Sequence, residues 1–375
     1  MLETLHQLIF ADSRNLEAIP NNKIDLVVTS PPYPMIEMWD SAFSKLNGRV
    51  SSALLDCNGE AAFELMHQEL DKTWHHLARV LKPGAWACIN IGDATRTIGK
   101  RFQLYSNHTR ITHALNRLGL QSLPLVIWRK QTNAPNKFMG SGMLPAGAYV
   151  TLEHEYILIF RKGGKRSFDS AEKIEQRQRS SLFWEERNVW FSDIWDLKGV
   201  RQSLNHSALR ERGAAFPFEL AFRLINMYSV QNDWILDPFL GTGTTTFAAM
   251  ATMRNSIGIE IDGQFEKLVD ESVPDIVSFA NAYISKRLND HVAFVKEFEV
   301  SKGKLRHRNK NYGFPVITSQ ESNLLLNYLS RISKDERGFY HVTYDDDTQI
   351  REMPSPKRQI TQRPKRDQLD LYEKN

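Results

Sequence analysis

From residue 24 onward the hydrophobic positions follow two alternating rhythms, short solid apolar runs and longer stretches with apolar residues at helical spacing. That is the order of a sheet flanked by helices. Ile24-Asp25-Leu26-Val27-Val28-Thr29 reads as a buried strand. It stops at Ser30-Pro31-Pro32-Tyr33-Pro34, where three prolines forbid a ladder or a helix and predict a stiff, extended loop. Phe63, Met66, Leu70, Trp74, Leu77 and Leu81 then recur at helical spacing, Lys82-Pro83-Gly84 ends the helix, and Ala85 to Ile91 supplies the next strand. A second helix, Thr109 to Leu118 closed by Gly119, leads to the apolar run Leu123 to Trp128. Glu155 to Phe160 is a further strand. Between them, Arg129 to Thr151 is a loop long enough to expect function or disorder.

Residues 162 to about 212 lose the periodicity and turn polar and basic, with Trp184, Trp190 and Trp195 close together. They read as an inserted recognition region, as a compact subdomain anchored by those tryptophans, or as both. Alternation resumes with Phe216, Leu220, Ala221, Leu224 and Ile225 on a helix. The strand Trp234-Ile235-Leu236-Asp237 follows, then the loop Pro238-Phe239-Leu240-Gly241-Thr242-Gly243-Thr244-Thr245, a helix to about Arg254 and a strand Ile257 to Ile261. Beyond about 270 the pattern is helical and charged, and apolar content falls from 345. No internal repeat is visible. The expected division is 1–161 and 213–270 as two halves of one domain, 162–212 inserted, 271–345 a helical extension, and 346–375 a basic, flexible tail.

A chain of 375 residues suits two domains, or one large domain with insertions. With 41% apolar and 25% charged residues it excludes wholesale disorder, collagen and coiled coil. No run of about 18 apolar residues exists, and the start lacks the basic and apolar regions of a signal peptide. A soluble, cytoplasmic protein with no membrane partner is expected. Cys57 and Cys88 cannot make a disulfide framework, and His75, His76, His154 and His206 do not form a spaced ligand set, so no metal is expected. A net charge of +4 is only mildly basic. Its distribution says more: Lys302, Lys304, Arg306, Arg308 and Lys310 cluster, as do Lys357, Arg358, Arg363, Lys365 and Arg366. Such runs suit phosphate backbones, and equally suit solvated faces or a tail.

Two loops carry candidate chemistry. Gly241 and Gly243 would let backbone amides approach a ligand at a helix N-terminus. The loop is not of the Walker type, because no Lys follows the second glycine, and Thr246 stands where a dinucleotide fingerprint has its third glycine. Glu260 ends the next strand, 19 residues after Gly241, where a carboxylate can accept hydrogen bonds from both ribose hydroxyls of a nucleoside. The other loop, Ser30-Pro31-Pro32-Tyr33, offers carbonyls free of ladder partners, a hydroxyl acceptor and an aromatic stacking face. Such a site suits a flat heterocycle with an amino group. That nitrogen is a poor nucleophile because its lone pair is delocalised into the ring. Accepting its protons with Ser30 and the Pro31 carbonyl would pull it toward tetrahedral geometry. In an open parallel sheet both loops can face one crevice.

Together, Thr29-Ser30-Pro31-Pro32-Tyr33 and Asp237 to Thr245 resemble the catalytic and cofactor motifs of DNA amino-methyltransferases, in the order of the beta class. Phe10-Ala11-Asp12-Ser13, Arg79 to Gly84, His154 to Phe160 and Phe216-Pro217-Phe218-Glu219-Leu220 are similar to further segments of that family. The resemblance implies an α/β fold of the S-adenosylmethionine-dependent methyltransferase type, a doubly wound, mostly parallel sheet with permuted motif order and an inserted target recognition region. It implies that Asp237, Pro238, Phe239, Gly241, Gly243, Thr244, Glu260 and Asp12 hold S-adenosylmethionine, with Asp237 at its methionine part and Glu260 at its ribose. Ser30, Pro31, Pro32 and Tyr33 would hold the target base, with Tyr33 stacked on it. Lys165, Arg166, Arg177 and Arg179, with Lys302, Lys304, Arg306 and Arg308, are the expected contacts to double-stranded DNA.

In this family Ser at the first motif position usually goes with cytosine N4 and Asp with adenine N6. The expected activity is therefore cytosine-N4 methylation of flipped-out bases in DNA, in functional pairing with a restriction endonuclease. Adenine-N6 methylation is the alternative within the class, and a nucleic-acid binding protein with an inactive methyltransferase fold the alternative outside it. An RNA or small-molecule methyltransferase fits the large insertion less well, and nothing resembles the hydride-transfer acid of a dehydrogenase. Monomer and homodimer stay equally open.

Overall fold

The computed structural model describes residues 2–130, 139–140, 144–197, 216–346 and 348–351. Ten strands form the main sheet: β1 (Leu2–Phe10), β2 (Ile24–Thr29), β3 (Leu81–Ile91), β4 (Leu120–Lys130), β5 (His154–Lys162), β6 (Ile194–Leu197), β7 (Trp234–Asp237), β8 (Asn255–Glu260), β9 (Leu329–Lys334) and β10 (Tyr340–Tyr344). Their spatial order is β6-β4-β5-β3-β2-β7-β8-β1-β10-β9. The central run β3-β2-β7-β8-β1 is parallel throughout. Antiparallel β5 lies between β3 and β4, and antiparallel β10 between β1 and β9.

A parallel sheet covered on both faces needs strands that are apolar on both sides, and β2 is buried along all six residues. Its side chains divide between two cores. Leu26 and Val28 join α7 (Phe218–Tyr228), α8 (Thr244–Ala251) and the long α9 (Gln264–Lys302) on one face. Ile24 and Val27 join α1 (Asp40–Leu46), α2 (Arg49–Leu55), α3 (Gly59–Val80) and α4 (Asn107–Arg117) on the other. In α3 the buried stripe Ala62, Leu65, Met66, Leu70, Trp74, Leu77 and Val80 keeps the i, i+3, i+4 spacing of a helix with one buried face. Asn58 caps it, accepting the Ala61 amide at 3.1 Å. Asp25 is the charged exception in β2 and is neutralised by Lys82 at 2.7 Å and Arg166 at 3.6 Å.

The structure departs from the sequence expectation at three places. First, β1 precedes the alternation: its buried row contains Thr4 and His6, so it does not read as apolar. Both are satisfied, His6 by Ser256 at 2.8 Å and Thr4 by Tyr344 at 2.7 Å, and burial pushes the His6 imidazole down to about 3. Second, α9 runs unbroken across residue 270, so the boundary expected there falls inside a helix. The segment expected as a helical extension also ends in the hairpin β9–β10, which extends the sheet beside β1.

Third, the described part of residues 162–212 is built into the body. It forms α5 (Ala171–Arg179), α6 (Trp184–Trp190) and β6, which pairs with β4. Trp190 and Trp195 are buried, and the Trp195 indole N–H donates to the Trp190 carbonyl at 3.0 Å. Arg287 of α9 bonds Glu186 of α6 through two nitrogens at 2.6 and 2.7 Å. Its guanidinium also lies 5.3 Å from the Trp190 ring and 5.2 Å from that of Phe222. This pair clamps the insertion to the long helix. Arg287→Ala strands the Glu186 carboxylate, and the expected loss is about 3 kcal/mol in urea unfolding, in one transition. Two transitions would show instead that α6 and β6 unfold as a separate module.

Candidate active site at the carboxyl ends of the parallel strands

The chain leaves β7 at Asp237, and the Leu240 amide bonds the Ile259 carbonyl at 2.8 Å, drawing the loop across β8. Gly241 and Gly243 have φ of +52° and +86°, the left-handed region that glycine enters at least cost, and α8 begins at Thr244. Glu260 Oε2 accepts the Gly241 amide at 2.9 Å and Oε1 the Asp262 amide at 3.0 Å. Burial raises the Glu260 carboxyl above its ordinary range. Asp237 Oδ1 accepts the Thr29 hydroxyl at 2.6 Å and the Phe239 amide at 3.1 Å, and Oδ2 accepts the Thr245 hydroxyl at 2.7 Å. Burial without a cation pushes its carboxyl up to about 6.

Beside this loop β2 delivers Ser30-Pro31-Pro32-Tyr33. The Tyr33 hydroxyl takes a hydrogen bond from Ser30 Oγ at 3.2 Å and one from Asn90 Nδ2 at 2.8 Å, and donates to Glu155 Oε2 at 2.9 Å. Lys130 pairs with the other oxygen of Glu155. The Tyr33 ring is buried, and a Cβ added to Gly92 would stand 3.0 Å from its edge. Burial first, and the Glu155 charge second, raise the phenol far above its usual range.

A cavity of about 610 Å³ opens between the two loops. Ser30, Pro31, Pro32, Asp12, Asp237, Pro238, Phe239, Gly241, Thr244 and Glu260 all line it, so ten of the twelve residues expected at the catalytic and cofactor sites meet in one space. Gly243 and Tyr33 are buried and do not line it, and the Tyr33 hydroxyl links that residue to Ser30 of the cavity wall. Phe216, which opens one of the further segments similar to that family, also lines the cavity. Asp12 is bound by Arg14, which also reaches Glu69 at 2.5 Å. Although burial pushes the Asp12 carboxyl up, Arg14 holds it below its ordinary range.

Sequence reasoning missed Asn90, Lys130 and Arg14, and treated Glu155 only as part of a strand. The one available signal was position: Asn90 and Lys130 stand at the carboxyl ends of β3 and β4, and Glu155 at the start of antiparallel β5, all at the cavity end of the sheet.

The basic residues expected on DNA lie elsewhere. Arg166 bonds Asp233 at 2.6 and 2.9 Å and faces Asp25 at 3.6 Å, carboxylates at the amino ends of β7 and β2. The segment carrying Lys165, Arg166, Arg177 and Arg179 is tied to that end through Arg166 and through Gln176 and Ser180, which bond Gln231. A strand of five or six residues puts it about 15–20 Å from the cavity. Phe265, in the first turn of α9, lines the cavity, while Lys302 ends the same helix, roughly 55 Å further at 1.5 Å per residue. Lys304, Arg306 and Arg308 follow it. None of these eight lines the cavity, and the cluster from Lys357 lies outside the described residues, as does His206. Among the described residues, Glu185, His291 and Glu321 group closely enough to hold a metal ion, but both His291 nitrogens are engaged, by Glu185 at 2.7 Å and the Pro315 carbonyl at 3.0 Å.

A family model of DNA methylases matches residues 24–271, which include both loops. The chain belongs to the DNA methylase family. It is 50% identical to the Type II methyltransferase M.MthZI of Methanothermobacter thermautotrophicus, over 92% of this chain and 96% of that one. It is 45% identical to the Type II methyltransferase M.MjaI of Methanocaldococcus jannaschii, over 72% and 92%. A protein of Thermus thermophilus, solved in complex with S-adenosyl-L-methionine, superposes with a TM-score of 0.56 at 31% identity, covering 72% of this chain and 94% of that one. The fold of this DNA methylase is thus the S-adenosylmethionine-dependent methyltransferase fold. No helix among the described residues is long and apolar enough to cross a membrane.

For this methylase the placement of Arg166 predicts a structural role. Arg166→Ala leaves Asp25 and Asp233 buried side by side with one cation fewer, and the expected loss of stability is about 3 kcal/mol by urea unfolding. DNA affinity measured by anisotropy stays at the wild-type value; a drop of tenfold with stability intact would return Arg166 to the DNA interface.

Proposed function

We propose that this methylase transfers a methyl group from S-adenosylmethionine to the exocyclic N4 amino group of cytosine in double-stranded DNA, protecting sites cut by a partner restriction endonuclease. The observation that carries the reading is that Ser30 and Pro31 line the same cavity as Asp237, Gly241 and Glu260. Acceptors for an amino group and a nucleoside cradle share one space. The residues fit the cofactor by their donor set. Glu260 keeps lone pairs free beyond the two amides it accepts, which suits ribose hydroxyls. Asp237 is a buried carboxylate bonded only by neutral donors, which suits a cationic amino group.

When bound, the cofactor supplies an electrophilic methyl group on a sulfonium. The chain's own residues do the rest by positioning. Ser30 Oγ and the Pro31 carbonyl accept the two hydrogens of the target amino group and aim its lone pair; as the nitrogen–carbon bond replaces the methyl–sulfur bond, one of those hydrogens leaves as a proton to solvent in the open cavity. The rigid Pro31-Pro32 segment keeps those acceptors in place, and the base reaches them only after leaving the duplex. Ser30 in place of an acidic residue supports cytosine over adenine.

Purified protein is incubated with unmethylated DNA and labelled S-adenosylmethionine, and the DNA is digested to nucleosides for mass spectrometry. N4-methylcytosine is the expected product. N6-methyladenine would keep the site and overturn the base, and no methylated nucleoside on DNA of diverse sequence would overturn the activity.

Asp237 gives a pH dependence with a definite sign. Its carboxyl is raised in the folded protein from 3.8 to about 6, so the stability it contributes is complete below pH 4 and lost as pH rises through 6. Cofactor affinity runs the other way, because the charged form attracts the cationic amino group. Calorimetric Kd for S-adenosylmethionine is expected to weaken as pH falls from 7.5 to 5.5, and Asp237→Asn to remove most of that change. A profile unaltered by the substitution would assign the step to Glu260.

A further inference from the structure

Behind Ser30 the polar atoms form a hydrogen-bond chain that can run in one direction only. Lys130 is a donor without acceptor capacity, and it occupies one oxygen of Glu155. The other, Oε2, takes the Tyr33 hydroxyl hydrogen at 2.9 Å and an Asn90 amide hydrogen at 2.7 Å. Asn90 Nδ2 points its second hydrogen at the Tyr33 oxygen, 2.8 Å away. Turned round, that amide would set its own oxygen against a carboxylate, a worse arrangement than the present one, which leaves Asn90 Oδ1 buried and unpaired. Tyr33 has thus committed its one hydrogen to Glu155 and one lone pair to Asn90. What remains is a single lone pair, 3.2 Å from Ser30 Oγ. Ser30 must therefore donate to Tyr33. Having spent its hydrogen inward, Ser30 presents only lone pairs outward, and it is Ser30 that lines the cavity while Tyr33 does not.

We propose that Glu155, acting through Tyr33 and oriented by Asn90 and Lys130, locks the Ser30 hydroxyl as a hydrogen-bond acceptor, so that the cavity takes a base with an exocyclic amino group and rejects its carbonyl counterpart. The proposal rests on the base-methylating reading of the site and adds the source of its chemical selectivity. An amino group and a carbonyl oxygen differ little in size, so shape cannot separate cytosine from uracil or adenine from hypoxanthine. Polarity can: an amino group gives Ser30 a hydrogen, whereas a carbonyl sets lone pair against lone pair and leaves both buried and unpaired. Without the lock a serine hydroxyl, donor and acceptor alike, would rotate to suit either. Glu155, Asn90 and Lys130 are positioning residues in this scheme. They come from the cavity ends of three neighbouring strands, β5, β3 and β4, which is why the chain of bonds can be held so closely.

The test compares two synthetic duplexes containing the site identified by sequencing DNA methylated in vitro. One carries the native target base and the other its deaminated counterpart, uracil for cytosine or hypoxanthine for adenine. Kd is measured for both with S-adenosylhomocysteine present, using the wild-type protein, Glu155→Gln and Tyr33→Phe. Dividing each variant's ratio of affinities by the wild-type ratio cancels the difference in pairing strength between the duplexes. In Glu155→Gln the new amide donates to Tyr33 and releases the chain. The preference for the amino-bearing base is expected to fall roughly tenfold or more, with Tm and S-adenosylhomocysteine affinity little changed. Tyr33→Phe keeps the ring, cuts the chain at its middle and is expected to lose the same preference, so it decides the matter if the first variant does not fold. A purely structural network would lower Tm and leave the ratio alone. An unchanged ratio in both variants overturns the lock while leaving the methylation reading in place, and a wild-type protein that methylates no DNA overturns the reading itself.

Discussion

The bond from the Thr29 hydroxyl to Asp237 is the contact on which the site depends. At 2.6 Å and fully buried, it joins the last residue of β2 to the last residue of β7, although 208 positions separate them in the chain. The other Asp237 oxygen takes the Thr245 hydroxyl in the first turn of α8, and Thr245 in turn lies 3.2 Å from the Val28 carbonyl. One carboxylate thereby fixes the exit of both loops and the start of the helix between them. The prolines after Ser30 and the left-handed glycines of the other loop then diverge from a common point, and the space between them is the cavity. A sheet alone would set the two strands side by side; it would not fix the directions in which their loops leave.

What the sequence made legible follows from which interactions are local. Strands such as β2 and β7 and helices such as α3 announce themselves because burial on one or both faces requires a period that a single chain can display. The Ser30 and Gly241 loops were legible because proline and glycine restrict the backbone wherever they occur. The missed features depend on partners distant in sequence. β1 buries Thr4 and His6, which makes sense only once Ser256 and Tyr344 stand opposite. Hairpin β9–β10 reads as ordinary charged surface until it lies against β1. Tyr33 was legible as an aromatic on a rigid loop, but the partners of its ring edge and hydroxyl, Gly92, Asn90 and Glu155, are all distant in the chain.

The positive charges illustrate the same limit. A run of Lys and Arg has the same appearance whether it meets phosphates, water or a buried carboxylate. Arg166 belongs to the last case, and the segment after it closes the amino ends of β2 and β7. Strands β4 and β6 end at Lys130 and Leu197, at the end of the sheet where β5 begins at His154 and where Phe216 lines the cavity. Net charge counts none of this; strand direction does.

Two acids at each end of the sheet are treated differently, although at the cavity end Glu155 and Asp12 also have cations, in Lys130 and Arg14. At the amino ends Asp25 and Asp233 face Lys82 and Arg166, so each anion has a permanent cation and nothing is left for a ligand. At the carboxyl ends Asp237 and Glu260 are bonded only by hydroxyls and backbone amides. Neutral donors stabilise a carboxylate less than a cation does; burial raises both carboxyls, as it also raises that of Asp233 in spite of Arg166, so the distinction lies in the bonding partners. A fold gains no stability from that arrangement, since a nearby Lys or Arg would lower its cost. It is the arrangement expected where the missing positive charge and the missing hydroxyl donors arrive with a ligand. Ser30, at the end of its own hydrogen-bond chain and lining the same cavity as these two acids, stands where such a ligand would meet a second substrate.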